Sequence, residues 1–401
     1  MACSSRTYPL RQPPNHQPPV PRWRLVLPEG VTRIFTAYIG IQPRAPVQAQ
    51  PQSVDANANV DVDVAARTAL QKTSDEINAW LQTPSRHAAQ AVERFRVEQG
   101  DDVEGGAVWV CYWDDEARGK RALRELDLWS VYGRCLSEEE QQVIGLWSES
   151  FSTAAARLET NYSGADYRPG VAGLPGTRTE AHRMTAYWGA ARDRIPASAE
   201  DLFEGADAAD TPPRSGCSSS NSAIRIVATN PDNTVHIRSG QFWHACGPDE
   251  RAAYHLTLQP RLLSGLHALR AGRRATGAMG LRFLRNQPLR HLDDADGAGA
   301  DSHPEHPEHP PRGETSVAAF FRSLRHLEAW ASQHPAHLAI YAGAMRHAKR
   351  FGDARALRTW HEVSVLKAGD ATFEYIHCVP GTGVLADTAD ASGVGLDASL
   401  S

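Results

Sequence analysis

Apolar positions along this chain follow two rhythms, alternation by two and recurrence at helical spacing, separated by runs of proline, glycine and small polar residues. Residues 31–42 (VTRIFTAYIGIQ) and 107–113 (AVWVCYW) are β-branched and aromatic and predict strands. Between them, 45–64 is rich in Pro, Gln, Asn and Asp and predicts a surface loop, followed by a helix over about 66–83. The stretch 117–131 carries Leu123, Leu126, Leu128 and Trp129 on a helical pattern. A further helix starts at Ser137, where Glu140 three residues later completes a capping box. Residues 205–222 (GADAADTPPRSGCSSSNS) predict a flexible linker. AIRIVAT (223–229), the turn NPDN and TVHIRS (234–239) predict a hairpin. A long helix is expected over 248–271, a strand near 280–285, and a helix over 316–333 with Phe320, Phe321, Leu324, Leu327 and Trp330 at helical spacing. Another helix opens at Pro335, and strands follow at 359–367 and 371–377 about a turn at Ala368–Asp370. Residues 291–314, containing HPEHPEHPP, predict an inserted loop, and 387–401 a loose tail. Strands and helices thus come twice in similar order. The pattern predicts an α+β fold, one domain over 1–386 in which two pseudo-repeated halves (about 31–204 and 223–386) place helices outside a mostly antiparallel sheet closing into a barrel.

Composition narrows the function. The 401 residues are 41% hydrophobic, enough for one large core or two fused smaller ones. A formal net charge of −5 with no block of Lys or Arg argues against nucleic acid or an anionic membrane as partner. No apolar run approaches the roughly 18 residues of a spanning helix, and the proline-rich N-terminus lacks the apolar segment of a secretory signal. Six scattered cysteines read as reduced thiols, so a cytoplasmic protein is expected. The 17 histidines, most of them after residue 230, suit metal, haem or proton-transfer work without choosing among them.

Four short segments carry candidate chemistry. In HPAH, Pro335 favours the first helical position, which puts His334 at the cap and His337 in the first turn. One of the two is then the better ligand, and a haem iron needs one neutral imidazole on its proximal side. The plain alternative is a capping histidine with no ligand. In TWHEVSVLK, alternation sets His361 with Val363 and Val365 on an apolar face, where a neutral imidazole can exchange protons; a core histidine held by a carbonyl is the alternative. In TVHIRSGQFW, Ser239 ends a face shared with Val235 and Ile237, and Gly240 allows close backbone approach. AYWGAARDRIP sets Arg192 and Arg194 near Tyr187 and Trp188, and either arginine could serve an oxyanion or a propionate, or else be surface charge around Asp193. HPEHPEH is a competing metal tract, although a proline-rich chain gives it no fixed geometry. GxGxxG, Walker A and CxxC patterns are absent, so nucleotide and zinc-finger readings lack support.

Taken together and in order, the blocks YWGAARDRIP, HIRSGQFW, DERAAYHLTLQPRLLSGL, FRSLRHLEAWASQHPAHLAIY, WHEVSVL and FEYIHCVPGTGVL resemble the haem-containing aldoxime dehydratases, over roughly residues 8–386. The early segment QPPVPRWRLVLPEGVTRIFTAYIGIQ and the stretch ARLETNYS resemble the family too. The resemblance implies ferredoxin-like repeats around a central β-barrel, as in the dimeric α/β-barrel haem proteins, with haem b as cofactor, an aldoxime as small-molecule substrate and room for a homodimer. It implies His337 as the proximal iron ligand, His361 as the distal acid–base, and Ser239, Arg194 and Glu159 as their helpers. It implies dehydration of the aldoxime to a nitrile on ferrous haem. A haem protein of similar barrel with a peroxidase-like or purely haem-binding role is the alternative. Where the family has Ser-Met before RDR this chain has Ala190-Ala191, and its HPTH is here HPAH.

Overall fold

A computed structural model describes residues 6–45, 57–204, 217–220, 223–289 and 313–386. The elements run β1 (Arg22–Val26), β2 (Arg33–Pro43), α1 (Asn57–Gln82), β3 (Ala91–Gly100), β4 (Ala107–Trp113), α2 (Glu116–Leu126), α3 (Leu128–Cys135), α4 (Glu138–Val143), β5 (Ile144–Ala154), β6 (Leu158–Tyr162), β7 (Arg178–His182) and α5 (Ala190–Arg194). They continue with β8 (Cys217–Ser220), β9 (Ala223–Thr229), β10 (Thr234–Phe242), α6 (Pro248–Ala253), α7 (Gln259–Ala271), α8 (Arg273–Thr276), β11 (Ala278–Gln287), β12 (Glu314–Phe321), α9 (Leu324–Gln333), α10 (Pro335–Phe351), β13 (Arg358–Leu366) and β14 (Ala371–Ile376).

The expected α+β class holds. The strands form one antiparallel sheet in the order β7-β1-β6-β13-β10-β12-β11-β3-β4-β2-β5-β14-β9-β8. That order has two ends, so among the described residues the sheet is open and the expected barrel closure is corrected. The sheet nevertheless curls until strands far apart in the order meet. His236 of β10 lies 5.2 Å from Tyr38 of β2 and 4.6 Å from Phe151 of β5, and Phe320 of β12 lies 5.2 Å from Phe373 of β14. Helices cover the outside. One core joins Ile77 of α1 and Val131 of α3 to Ile39, Trp109 and Leu146; another joins Leu327 and Trp330 of α9 to Val235, Val317 and Val363.

Several expectations change. The capping box at Ser137 is present, but its helix ends at Val143 and the buried strand β5 follows at once. The helix expected over 117–131 breaks at Asp127, whose φ of 44° is left-handed; its N–H closes on the Leu123 carbonyl and its carboxylate accepts from Ser130 N, ending α2 and capping α3. The helix over 316–333 begins only at Leu324. Residues 314–321 form a central strand buried on both faces, which erases the alternation that marks a half-buried strand. The hairpin over 223–239 does not form: β9 pairs with β14 and β8, whereas β10 lies between β12 and β13. The long helix over 248–271 is present with a π-helical turn at Tyr254–Leu258 just before Pro260, which has no N–H to donate to the ladder. Of the loop expected at 45–64, residues 57–64 are already helix, and 46–56 lie outside the described residues. Within the expected linker, Cys217–Ser220 is a strand; the remainder of it, residues 290–312 and residues 387–401 lie outside the described residues. Cys111, Cys135, Cys246 and Cys378 are free thiols, and among the described residues no helix is long and apolar enough to cross a membrane.

Candidate active site

Four consecutive strands build the site on their helix-covered face. The register pairs Asn161 of β6 with His361 of β13, His361 with Ser239 of β10, and Ser239 with Val317 of β12. Directly opposed residues share a face, so these four side chains form one row across the sheet. Glu159, two positions before Asn161 and paired with Val363, lies on the same face.

The opposite face holds the row still. Arg238, fully buried, donates to Glu93 Oε2 at 2.7 Å, to Tyr112 OH at 2.7 Å and to Ser316 Oγ at 3.1 Å, and its guanidinium lies over Phe95 and Trp360. Glu362 accepts from the Tyr112 hydroxyl and from Val171 N. Ser239 and His361 therefore follow residues locked by charge-assisted bonds. The close approach at Gly240 is on this locked face: a Cβ there would run into the Trp360 indole.

Glu159 is 1% exposed and gathers the catalytic candidates. Its Oε1 accepts from Arg194 Nε at 2.7 Å, from Arg194 Nη2, and from His361 Nε2 at 2.9 Å. Burial pushes this carboxyl up, but Arg194 and then His361 outweigh it and hold its pKa at about 2, so Glu159 is a carboxylate. Arg194 also donates to the Met184 carbonyl at 2.5 Å. Its Nη2 lies 3.2 Å from His361 Nε2. An arginine can only donate, and that ring nitrogen already donates to Glu159, so this is a packing contact. Nδ1 is the His361 nitrogen left for proton exchange. Glu159 Oε2 and Asn161 Oδ1 are buried acceptors with no hydrogen-bond partner, both beside His361.

Of the other charges in RDR, Arg192 forks onto Glu328 of α9 at 2.9 and 2.8 Å, and Asp193 accepts from the backbone of Arg11 and Gln12 and from Tyr187 OH. These two fasten α5, and Arg194 alone reaches the row.

α10 supplies the other wall. His334 is its N-cap, its Nδ1 accepting from Ala336 N at 3.3 Å, as the position of Pro335 implies. His337 Nδ1 donates to the Ala331 carbonyl at 2.8 Å, which leaves the Nε2 lone pair free. Burial lowers the His337 pKa; the bond to Ala331 opposes this, and the His361 charge lowers it further, so His337 is neutral and close enough to His361 to feel its charge. Ala336, next to it, packs on the apolar cluster that contains Val317 and Val363.

The structure thus brings His361, Arg194 and Glu159 into direct contact, places Ser239 opposite His361, and sets His337 across from them. Sequence reasoning did not single out Asn161, whose only signal was its place in ARLETNYS, or His182, both of which lie near these residues. His182 pairs with Arg22 between β7 and β1, both its ring nitrogens lack partners, and burial, then Arg194, lower it to about 4. It escaped notice because β7, RTEAH, has no apolar alternation. HPEHPEH lies outside the described residues, and among the described residues no group of three or more His, Cys, Asp or Glu is arranged to hold a metal ion. A cavity of about 300 Å³ lined by Glu76, Trp80, His87 and Glu125 holds none of these site residues.

Comparison with known proteins gives a consistent result. Residues 37–384 match the sequence model of a family described as haem-containing dehydratase. The chain is 29% identical over 377 residues, 93% of either chain, to the phenylacetaldoxime dehydratase of Bacillus sp. (strain OxB-1). It is 30% identical over 389 residues, 95% of either chain, to the aliphatic aldoxime dehydratase of Pseudomonas chlororaphis. A crystal structure of an aldoxime dehydratase in complex with butyraldoxime is 27% identical, superposes with a TM-score of 0.73, and covers 95% of this chain and 93% of that one.

Proposed function

This chain belongs to the haem-containing dehydratase family, and on that premise we propose that it converts aldoximes, R–CH=N–OH, to nitriles and water, with His337 as the haem ligand and His361, Ser239, Arg194 and Glu159 at the substrate. The observation that supports these roles best is the Glu159–Arg194–His361 cluster standing beside Ser239 and facing a neutral histidine with a free ring nitrogen.

His337 fits a haem iron: it is neutral, its Nε2 is unshared, and a backbone carbonyl fixes its tautomer. When bound, haem b in its ferrous state supplies an iron for the oxime nitrogen and the electron density that weakens the N–O bond. The remaining work is proton management. Hydroxide leaves poorly unless protonated as the N–O bond breaks. His361, its Nε2 held by the Glu159 carboxylate, delivers the Nδ1 proton to that oxygen as an imidazolium. Ser239, on the adjacent strand, holds the same oxygen with its hydroxyl. The neutral His361 then takes the carbon-bound proton, leaving water and a nitrile with no net redox change. Arg194 keeps Glu159 ionised and balances the charge that develops at the leaving oxygen. We further read residues 31–204 and 223–386 as two pseudo-equivalent halves of one haem-binding domain.

The test is an absorption spectrum of the dithionite-reduced protein under anaerobic conditions, before and after phenylacetaldoxime or butyraldoxime, with nitrile assayed in the same cuvette. A Soret band that shifts and is followed by nitrile supports the proposal. A haem band with neither shift nor nitrile for both substrates overturns the assigned reaction.

A further inference from the structure

We infer that Arg22 and Arg355 form the receptor for the two haem propionates, at the edge of the cleft between α10 and the sheet. This rests on the haem reading above and adds the orientation of the ring within the cleft.

Placement comes first. Arg22 of β1 donates through Nη1 to Thr359 Oγ1 at 3.2 Å. Thr359 precedes His361 by two positions on β13, so it shares the face that carries the catalytic row, about 7 Å along the strand. Across the cleft, Tyr341 follows His337 by four residues on α10 and therefore stands on the same side of that helix, one turn on. Tyr341 is near enough to Arg22 for the two to interact electrostatically. Arg22 thus sits one step along both walls from the pair His337 and His361. Arg355, in the connection from α10 to β13, is near enough to Arg22 for the two charges to repel.

Charge comes second. Among the described residues, neither Arg22 nor Arg355 is paired with a carboxylate, and Arg355 Nε is buried without a partner. Nearby acids are committed elsewhere. Asp166 takes Arg358 with both oxygens at 2.7 Å. Glu250 accepts from Ala356 N, Leu357 N and His347 Nε2. Glu180 holds Arg24, and Glu159 holds Arg194. Burial, then the charges of Arg355 and Arg194, lower the Arg22 pKa to about 10. Glu250 acts on Arg355 only through its field, with no carboxylate bonded to either arginine, and partly buried cations that repel one another without a bonded counter-ion are costly unless an anion enters. The haem edge presents two carboxylates, which planar guanidinium forks bind with directed, charge-assisted bonds.

The test compares ferric protoporphyrin IX with its dimethyl ester, which keeps ring and iron and removes both negative charges. Each is titrated, with Soret detection, into wild type, Arg22→Gln, Arg355→Gln, the double variant and the control Arg24→Gln. Wild type is expected to hold the diacid about a hundredfold more tightly than the diester, each single variant to lose about tenfold toward the diacid alone, and the double variant to hold both alike. Arg24→Gln should match wild type. Unchanged diester affinity in the variants shows that fold and His337 pocket are intact. Equal affinity of wild type for diacid and diester, or a full preference for the diacid surviving in the double variant, overturns the inference while leaving haem binding in place. Failure of wild type to bind either porphyrin overturns the haem reading itself.

Discussion

Glu159 carries more of the site than its place in a short strand suggests, because one buried oxygen accepts from both Arg194 and His361. Glu159→Gln keeps the shape and removes the charge. It leaves Arg194 buried without a counter-ion, so we expect a loss of about 3–5 kcal/mol in stability and at least a tenfold fall in turnover with the haem band retained. Urea unfolding and nitrile release measure the two. The sign with pH follows from the depressed carboxyl. Ionised Glu159 stabilises the fold fully above its unfolded pKa near 4.5, and the gain is lost as pH falls toward about 2. The stability gap between wild type and Glu159→Gln should therefore shrink on acidification below 4.5; a constant gap down to pH 3 contradicts the ionised assignment. His361→Ala and Ser239→Ala should each keep haem and lose activity, by about 10²-fold or more for the histidine that moves the proton. Wild-type rates in either variant remove that residue from the mechanism. These side chains were legible in the sequence as types on a face: alternation put Ser239 and His361 on one side of their strands, and so they lie. What alternation could not supply was Glu159 beneath them, because that contact depends on which strands are neighbours.

Neighbour relations are set at the level of elements, where reading by periodicity succeeded and failed for definable reasons. β10 and β13 were legible because apolar and polar residue types alternate over Val235–Arg238 and Glu362–Val365, one face meeting helices and the other a charged network. β12 was misread as helix because every residue in it is buried. The false hairpin at 223–239 followed from treating sequence neighbours as sheet neighbours; β9 and β10 are well separated in the strand order. The break at Asp127 tests the local account of element boundaries. Its left-handed backbone and its cap on Ser130 are separable, since glycine tolerates the backbone but cannot cap. Asp127→Ala should cost about 1–2 kcal/mol and Asp127→Gly less, read from urea midpoints. The start of α10 was legible for the same local reason: Pro335 fixes its first turn, which places His337. His337→Ala should abolish the Soret band without changing far-ultraviolet circular dichroism; retention of a full haem band would move the ligand elsewhere.

The whole molecule interleaves the two halves that the sequence suggests. β6 of the first half pairs with β13 of the second, and β14 of the second lies between β5 of the first and β9. A buried network reinforces that join. Arg282 of β11 forks onto Glu149 of β5 at 2.6 and 2.7 Å, meets Asp102 at 2.5 Å, and covers the Trp147 ring at 3.9 Å. Tyr375 of β14 donates to the same Glu149. Neither half can leave without exposing these charges or unpairing central strands. The haem-free protein should therefore unfold in urea in one transition, with tryptophan fluorescence and far-ultraviolet circular dichroism coincident. Arg282→Met alone leaves Glu149 and Asp102 buried without their cation and should lower stability by about 3–5 kcal/mol, whereas Arg282→Met combined with Glu149→Leu and Asp102→Leu should recover much of that loss, because desolvating the ions offsets much of their attraction. Two resolved transitions in the wild-type protein would show that the halves fold as separate units. A triple variant no more stable than the single one would show that the network does more than satisfy its own charges.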